Sequence, residues 1–305
     1  MTFTYDLAKF IAFKDLKECE RVRVIDKKNI TKHKNPDFRI SVIDDLGEFY
    51  AAFAIDIVSR IKKSLEEGKR FVGIFPVGPM PQYAIAARLI NKMKISMKHV
   101  HTYNMDEYAD QDGNTAPPDW AGSFQKSMMD NFFLHIDSEL RPPLEQIHFP
   151  SHKNIKDYGK MIADMGGADV CYGGIGWCGH IAFWEADLGL EFGDDLEAYK
   201  KATARIVELT PMTIMQNALH SFGGDWSWVP PKAASIGPAE ILGAKDRSFW
   251  LDGYLGGGVS WQRFIARLCA HGRVNTLVPG SLLQTAQGTY TIYGPVADNI
   301  EIHMA

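Results

Sequence analysis

The chain has few cysteines, no long apolar run and no excess of one charge sign. Its cysteines (Cys19, Cys171, Cys178 and Cys269) are scattered without a C-x-x-C pair, which excludes a disulfide framework and a zinc knuckle. No stretch reaches the roughly 18 uninterrupted apolar residues that a membrane helix needs. Residues 1–13 mix charged with apolar side chains and lack the core of a secretory signal. We therefore expect a cytoplasmic protein with reduced thiols and no membrane partner.

The charge balance gives no sign of a nucleic-acid partner. Lysine and arginine number 33 against 37 aspartate and glutamate, a net charge of −4. Hydrophobic residues make up 46% and charged residues 23% of the 305 residues. That composition is typical of a globular protein and excludes a disordered or collagenous one. Composition alone names no activity.

The first 37 residues differ from the remainder of the chain. Between Lys14 and Arg39, nine basic side chains stand against five acidic ones, with few large apolar residues. We interpret residues 1–37 as a solvated N-terminal extension rather than as a basic binding arm. Residues 38–305 are expected to form a single domain.

Apolar patterns along that domain alternate between helix and strand. Aromatic and aliphatic residues recur every four positions from Phe49 to Ile61, as on the buried face of a helix. The run 71–75 is apolar throughout, which is typical of a strand buried on both faces. Further strands are predicted at 99–103, 169–175, 204–209, 233–236, 249–255 and 290–293, and helices at 82–93, 123–135, 155–165 and 261–270. The alternation predicts an α/β protein with a Rossmann-like, mostly parallel sheet and helices on both faces.

Three of the predicted strands end in loops whose residues suit chemistry. The first loop is 76–81, the second is Asn104-Met105-Asp106-Glu107-Tyr108, and the third runs from Gly173 to Glu185. Glycines let a backbone approach a ligand closely, while carboxylates and imidazoles transfer protons. Because ligands bind beyond the carboxyl ends of parallel strands, we expect the three loops to converge on one pocket.

The third loop contains the spacing of a dinucleotide-binding fingerprint, Gly174-x-Gly176-x-x-Gly179. That fingerprint needs an acidic residue at the end of the following strand, about 20 residues further on. Here the following strand ends at Glu208, which is too far along the chain. Nicotinamide binding is therefore not favoured.

Together, the second and third loops resemble the glucosamine-6-phosphate deaminase/isomerase family. The segment 104–108 is similar to the acidic motif of the family, and the agreement continues through 123–137. The segment 173–185 resembles its glycine-rich loop with a histidine. Weaker agreement extends over Arg205, Leu209-Thr210, Val229-Pro230 and Ile236-Gly237. The resemblance covers the chain from about residue 38 to the C-terminus.

The resemblance implies an enzyme that uses neither a metal nor an organic cofactor. Asp106 would be the base that moves a proton between C1 and C2 of an open-chain sugar or sugar phosphate. His180 would exchange a proton during ring opening, and Glu185 would orient His180. Backbone N–H groups near Gly174 and Gly176 would stabilise developing negative charge. The substrate-binding residues are expected to be Gly78, Glu107, Gly174, Gly176, Trp177, Cys178, Gly179 and Arg263.

Three residues near His180 depart from the family pattern. The family has an aspartate two residues before this histidine, where this chain has Cys178. A thiol is mostly neutral at pH 7, so it cannot hold an imidazolium as a carboxylate does. Trp177 and Trp184 replace smaller polar residues. We therefore expect altered ring opening and a pocket with aromatic faces, and Cys178 itself is expected to be unreactive.

The phosphate-binding side departs further from the family. The family's glycine- and threonine-rich loop is replaced here by residues 76–81, whose prolines lack a backbone donor. A family arginine aligns with Leu219, and a family lysine aligns with Gln262. Either Arg263 and Lys232 compensate for these losses, or the substrate is not a conventional sugar 6-phosphate.

Structural roles compete with functional ones at several of these positions. The acidic pair of the second loop also suits the N-terminus of a helix. His99-x-His101 places two rings on one face of a strand, but without a third ligand packing is favoured over a metal site. Trp226 and Trp228 suit either core packing or stacking on a sugar, and packing is preferred.

Three functions remain open from the sequence. The first is a sugar aldose–ketose isomerase or deaminase acting on an open-chain amino sugar, with a sugar phosphate as the expected substrate. The second is the same scaffold acting on an unphosphorylated or modified sugar, which the lost phosphate donors favour. The third is a non-catalytic sugar-binding or regulatory module, which Cys178 favours. The oligomeric state stays open, a homo-oligomer included.

Overall fold

The centre of the molecule is a seven-stranded parallel sheet in the order β1-β12-β9-β6-β2-β3-β5. The computed structural model describes residues 3–77, 80–302 and 304. The strands are β1 (Phe38–Ile43), β2 (Phe71–Phe75), β3 (Val100–Asn104), β4 (Asp106–Ala109), β5 (Ile147–His148), β6 (Val170–Gly173), β7 (Arg205–Glu208), β8 (Lys232–Ser235), β9 (Asp246–Leu251), β10 (Tyr254–Gly256), β11 (Val259–Ser260) and β12 (Gly288–Tyr293). The mostly parallel α/β fold predicted from the sequence is therefore confirmed.

Helices cover both faces of this sheet. The α-helices are α1 (Leu16–Arg23), α2 (Leu46–Glu66), α3 (Pro81–Met93), α4 (Phe124–Asn131), α5 (Ile155–Asp164), α6 (Leu196–Lys200), α7 (Pro211–Ser221), α8 (Pro238–Gly243), α9 (Arg263–His271) and α10 (Gly294–Ala297). Short 3₁₀ turns lie at Phe133–His135, Leu144–Gln146, Ala186–Glu191, Trp226–Trp228 and Pro279–Thr285. Within the described ranges, no helix combines the length and apolar character that a membrane crossing needs.

Alternation along β2 explains why the core has two halves. Successive side chains of a strand point to opposite faces of a sheet. Val72 and Ile74 pack into the cluster beneath α1, α5, α8 and α9. Phe71 and Phe75 pack into the cluster beneath α2, α3 and α4. All five residues of β2 are buried, as expected for a strand covered on both sides.

The long helix α2 forms where the four-residue apolar repeat predicts it. The side chain of Asp45 accepts a hydrogen bond of 2.8 Å from the backbone N–H of Glu48, which satisfies one of the free donors at the start of the helix. Gly68 follows the last turn in the left-handed region, at φ 64°, where glycine is favoured. These two signals set the length of the helix.

Two strands expected in the parallel sheet belong instead to a second sheet. The predicted strands at 204–209 and 233–236 form β7 and β8, which pair antiparallel with each other, and β8 pairs antiparallel with β4. The alternation of strand and helix predicted a parallel crossover between them. That expectation is wrong because residues 222–231, which follow α7, return the chain before β8 begins. This small sheet holds the start of β4 next to the carboxyl ends of the strands of the main sheet.

The segment before β1 is partly buried, contrary to the expectation of a solvated extension. Val22 and Ile30 are fully buried in the main core, next to residues of α9. Arg21 donates a 2.6 Å hydrogen bond to the carbonyl of His271, at the end of α9. The basic side chains lie on the outer face, and the few apolar ones were sufficient to dock the segment.

Candidate active site

A pocket of about 1050 Å³ opens at the carboxyl ends of the central strands. This volume lies at the upper end of the range for small-molecule sites. The loops after β2, β3, β6 and β9 all contribute to its wall, together with α4, α7 and the start of α9. Its lining includes Pro76, Val77, Met80, Met105, Asp106, Trp120, Phe124, Gly174, Gly176, His180, Phe183, Gln216, Asn217, His220, Trp228, Trp250, Asp252, Tyr254, Trp261 and Gln262. The loops predicted to converge therefore share one cavity.

Asp106 is a buried carboxyl on the wall of this pocket. It begins β4, directly after Met105, and pairs with Ser235 across the small sheet. Its side chain is only 6% exposed, and Oδ1 has no hydrogen-bond partner among the described residues. Burial and the neighbouring carboxyl of Glu107 raise the pKa of Asp106 to about 8, although His180 opposes the shift. The group can therefore bind or release a proton near neutral pH.

Glu107 points away from the pocket, although it follows Asp106 directly. Its Oε1 accepts 2.9 Å hydrogen bonds from the N–H groups of Tyr108 and Phe124. Its Oε2 accepts 2.9 Å hydrogen bonds from Ser123 Oγ and the Gln125 N–H. Both carboxylate oxygens of Glu107 are therefore occupied by hydrogen bonds from the start of α4. Its expected role in substrate binding is therefore not supported by this placement, and it acts as a cap on α4.

His180 reaches the pocket from the loop after β6. The turn is closed by the N–H of Gly176, which donates a 2.9 Å hydrogen bond to the carbonyl of His180. A Cβ at position 176 would overlap the imidazole, so glycine is required there by close approach. Because that N–H is already bonded, it cannot stabilise negative charge on a substrate, contrary to expectation. Gly179 shapes the same turn at φ 88°.

Cys178 connects His180 to Glu185 behind the pocket. Its Sγ lies 3.2 Å from Nδ1 of His180 and donates a 3.1 Å hydrogen bond to Oε2 of Glu185. The direct separation of Nδ1 and Oε2 is longer, at 3.6 Å. Thr213 Oγ1 lies 3.0 Å from Nδ1 on another side. The ring is therefore held through Nδ1, while Nε2 has no hydrogen bond among the described residues.

In this cluster, the cationic form of His180 and the ionised form of Glu185 stabilise each other. Burial lowers the pKa of His180, but Cys178 and Glu185 outweigh it and hold that pKa above its ordinary value. Burial raises the pKa of Glu185, but His180 and the hydrogen bonds from Thr213 and Cys178 hold it below its ordinary value. Thr210 adds a 3.1 Å hydrogen bond to Oε2. A cationic imidazole beside an ionised carboxylate is the expected state at neutral pH.

The same cluster is also a group of potential metal ligands. Within the described part of the chain, Cys178, His180 and Glu185 are the one group whose potential ligand atoms lie within 4.8 Å of one another. Each of these atoms already has a hydrogen-bond partner in the cluster. His99, of the suspected His99-x-His101 pair, lies 2.8 Å from Ser64 Oγ. The expectation that no metal is used stays a prediction.

The remaining predicted site residues fall into four groups. Gly174 and Gly176 line the pocket, while Cys178, Gly179 and Glu185 lie behind it. Trp177 and Arg263 are outside its lining. The Arg263 guanidinium instead donates a 2.9 Å hydrogen bond to the carbonyl of Pro295. Gly78 lies outside the described residues.

Aromatic side chains do face the pocket, but they are not the ones expected. Trp184 is buried in a separate cluster, with the guanidinium of Arg205 4.8 Å from its ring. Trp120, Trp250 and Trp261 are among the pocket residues instead. Trp226 and Trp228 are each 64% exposed, so the preference for core packing is wrong, and Trp228 lines the pocket.

Asp252 is the main pocket residue that the sequence motifs did not reveal. It follows β9, and its Oδ2 accepts a 2.7 Å hydrogen bond from the hydroxyl of Tyr50. Burial raises the pKa of Asp252, against the opposing hydrogen bond from Tyr50. The apolar run 249–255 was predicted as one continuous strand, which hid an acidic residue at the true strand end. The Asp252-Gly253 pair was the available signal.

Comparison with known proteins gives consistent similarities. A glucosamine-6-phosphate deaminase of Caenorhabditis elegans is 34% identical over 211 residues, covering 67% of this chain and 70% of the relative. One of Mannheimia succiniciproducens is 32% identical over 246 residues, covering 79% and 83%. The solved structure of a monomeric glucosamine-6-phosphate deaminase of the NagB superfamily superposes with a TM-score of 0.71 at 23% identity, covering 85% of this chain and 98% of that one. No family model matches.

The fold, its strand-end pocket and these sequence relatives together define an α/β enzyme of carbohydrate metabolism. Identities above 30% over two thirds or more of the relatives extend across both loops that carry Asp106 and His180. The chain belongs to the glucosamine-6-phosphate deaminase/isomerase family. The resemblance seen in the sequence is therefore confirmed.

Proposed function

We propose that this enzyme works in the cytoplasm, with its thiols reduced, and converts an open-chain 2-amino aldose into a ketose and ammonia. The observation that carries the proposal is the pairing of two groups in one pocket. Asp106 is a buried carboxyl with an unpartnered oxygen and a pKa of about 8, and His180 is an imidazole held through Nδ1 alone. Proton transfer at carbon needs a base of this kind near neutral pH.

His180 is proposed to open the sugar ring. As the cation, its Nε2–H donates a proton to the ring oxygen, while the anomeric hydroxyl loses its proton and becomes the C1 aldehyde. Cys178 and Glu185 act as positioning residues, because they fix the ring and favour its protonated form. Thr213 supports the same orientation.

Asp106 is proposed to move the proton between the carbons. Its carboxylate takes the proton from C2, and the electron pair forms a C1=C2 double bond as the C1 carbonyl oxygen gains a proton. Return of the proton to C1 gives a C2 imine. Addition of water at C2 and loss of ammonia yield the ketose, so that amino aldose and water balance ketose and ammonia. The oxygen-bound protons exchange with solvent and His180.

The test is ammonia release together with exchange of the C2 proton in deuterated water. We expect both for the wild-type enzyme with an amino sugar, and a loss of about 10²–10⁴-fold in Asp106→Asn, which is the typical contribution of a positioned base. Circular dichroism of the variant establishes that it is folded. Binding of amino sugars without exchange at C2 would show a sugar-binding module instead and would exclude the proposed reaction.

A further inference from the structure

Lysine and arginine side chains are missing from the described wall of the pocket. Its two imidazoles do not substitute for them. His220 is exposed at the rim, and desolvation by its surroundings together with the charge of His180 lowers its pKa, which disfavours its cationic form. The charge of His180 is already balanced by Glu185, 3.6 Å away.

The two cations considered from the sequence as replacements for the missing phosphate-binding residues, Arg263 and Lys232, are used elsewhere. Arg263 donates from Nε to the carbonyl of Pro295 at 2.9 Å, and its guanidinium lies 3.8 Å from the carboxylate of Asp298. The ammonium of Lys232 lies 3.7 Å from Glu208, on the neighbouring strand β7. Neither side chain lines the pocket. The compensation considered from the sequence is therefore absent in this arrangement.

The start of α9 contacts the segment that carries Asp252. The N-terminus of a helix carries partial positive charge. At the start of α9, Gln262 Oε1 accepts a 2.8 Å hydrogen bond from the N–H of Gly253, which brings Asp252 beside the helix. The amide of Gln262 is also committed, because Nε2 donates a 2.6 Å hydrogen bond to the carbonyl of Ile175. The side chain of Gln262 is therefore not free to bind an anion at the start of α9.

Asp252 is well separated from the reacting groups. It follows β9 and Asp106 follows β3, and two strands, β6 and β2, lie between them in the sheet. Three strand spacings correspond to roughly 14 Å between the two backbone positions. Asp252 and Tyr50 therefore face the part of a substrate remote from C1 and C2. A carboxyl and a phenol hydroxyl there suit hydroxyl groups, and the surrounding rings suit the apolar faces of a sugar.

We infer that the substrate of this pocket is an unphosphorylated amino sugar whose end remote from the reacting carbons is uncharged. The inference rests on the proposed function and narrows its substrate class. A phosphate dianion that enters this pocket would lose its hydration without gaining a cationic partner. It would also lie near Asp252. A neutral hydroxyl end would instead donate hydrogen bonds to that carboxyl.

Direct comparison of glucosamine with glucosamine 6-phosphate tests the inference. We expect kcat/KM for ammonia release to be at least tenfold higher with glucosamine. A preference for the 6-phosphate would overturn the inference and leave the proposed reaction standing. Absence of turnover with both would reject the reaction, and thermal-shift binding to Asp106→Asn then decides the inference by itself. A shift produced by glucosamine but not by its 6-phosphate supports it, and the reverse pattern or no shift with either sugar overturns it.

A charge introduced into the pocket tests the physical cause. Leu255 lines the pocket with 47% of its surface exposed, and Leu190 is 65% exposed outside it. We expect Leu255→Lys to raise the ratio of kcat/KM for the 6-phosphate over glucosamine at least threefold at low salt, with the gain decreasing at high salt. Leu190→Lys is the matched control and should leave the ratio unchanged. An unchanged ratio in Leu255→Lys would count against the inference.

Discussion

The sulfur of Cys178 lies 3.2 Å from Nδ1 of His180. The same sulfur donates to Oε2 of Glu185 at 3.1 Å, a shorter contact than the 3.6 Å between that oxygen and Nδ1. Glu185 therefore acts on the imidazole largely through the thiol. From the sequence, Cys178 is expected to be unreactive, and the geometry gives it a positioning role that needs no reactivity.

Replacing Cys178 should change the titration of His180. We expect Cys178→Ala to slow turnover about tenfold, as for the loss of one orienting hydrogen bond, and to shift the alkaline limb of the pH–rate profile to lower pH. Cys178→Asp should keep or raise the activity, because a carboxylate stabilises the imidazolium. Ammonia release between pH 6 and 10 measures both effects. An unchanged limb in Cys178→Ala would show that the thiol does not act on His180.

Gly176 should be required for the placement of the imidazole. Its missing Cβ leaves the space that the His180 ring occupies, so Gly176→Ala must displace the ring or the loop. We expect ammonia release to slow by about 10²-fold or more in a variant that still folds. Gly243→Ala is the matched control, because a Cβ at position 243 meets no atom within 4 Å. Full activity in Gly176→Ala would contradict the described role of His180.

The pKa of Asp106 sets the acid limb of the pH–rate profile. Because burial raises that pKa to about 8, most of the free enzyme carries the protonated, inactive form below pH 8. We expect kcat/KM to increase tenfold per pH unit up to about pH 8 and then to level off. At higher pH it should decrease as His180 loses its proton. A profile that is flat from pH 5.5 to 8 would exclude Asp106 as the base.

The parallel part of the fold was predictable because it depends on burial. The run at 71–75 is apolar in a short window that Pro76 ends, and this pattern indicates that both faces of the strand are covered. The direction of β7 and β8 was not predictable in the same way. A strand followed by a helix has the same sequence pattern whether the next strand is parallel or antiparallel. The direction of β8 is decided by the ten or so residues after α7.

The catalytic candidates could be found from local sequence motifs. Which other side chains line the pocket depends on side-chain direction, which the sequence does not show. Asp106 and His180 lie in loops after strands that the apolar pattern predicts. Arg263 was expected in the pocket because it begins a helix near the site, but its side chain turns to Pro295. Trp177 likewise lies in the correct loop but is not among the residues that line the pocket. Spacing along the chain does not report such orientations.

Neutral substitutions of the adjacent carboxyls Asp106 and Glu107 should change the free energy of unfolding in opposite directions. Asp106 binds its proton more tightly in the folded than in the unfolded state, so the folded state holds one more proton between about pH 4 and pH 8. Stability therefore decreases over that window as the pH rises. At pH 8, Asp106→Asn should raise the free energy of unfolding by a few kcal/mol, at about 1.4 kcal/mol per pH unit at most, with little effect near pH 4.

Glu107→Gln should destabilise the protein, by about 1–3 kcal/mol, because an amide nitrogen cannot accept the hydrogen bonds that Oε2 receives from Ser123 and Gln125. Urea unfolding at pH 4, 6 and 8 measures both variants. Activity should separate them in the reverse sense, with the stabilised Asp106→Asn inactive and the destabilised Glu107→Gln active while folded. A stabilised protein that has lost activity is the expected sign of a buried charge kept for function. Equal destabilisation by both substitutions would place Asp106 in a structural role.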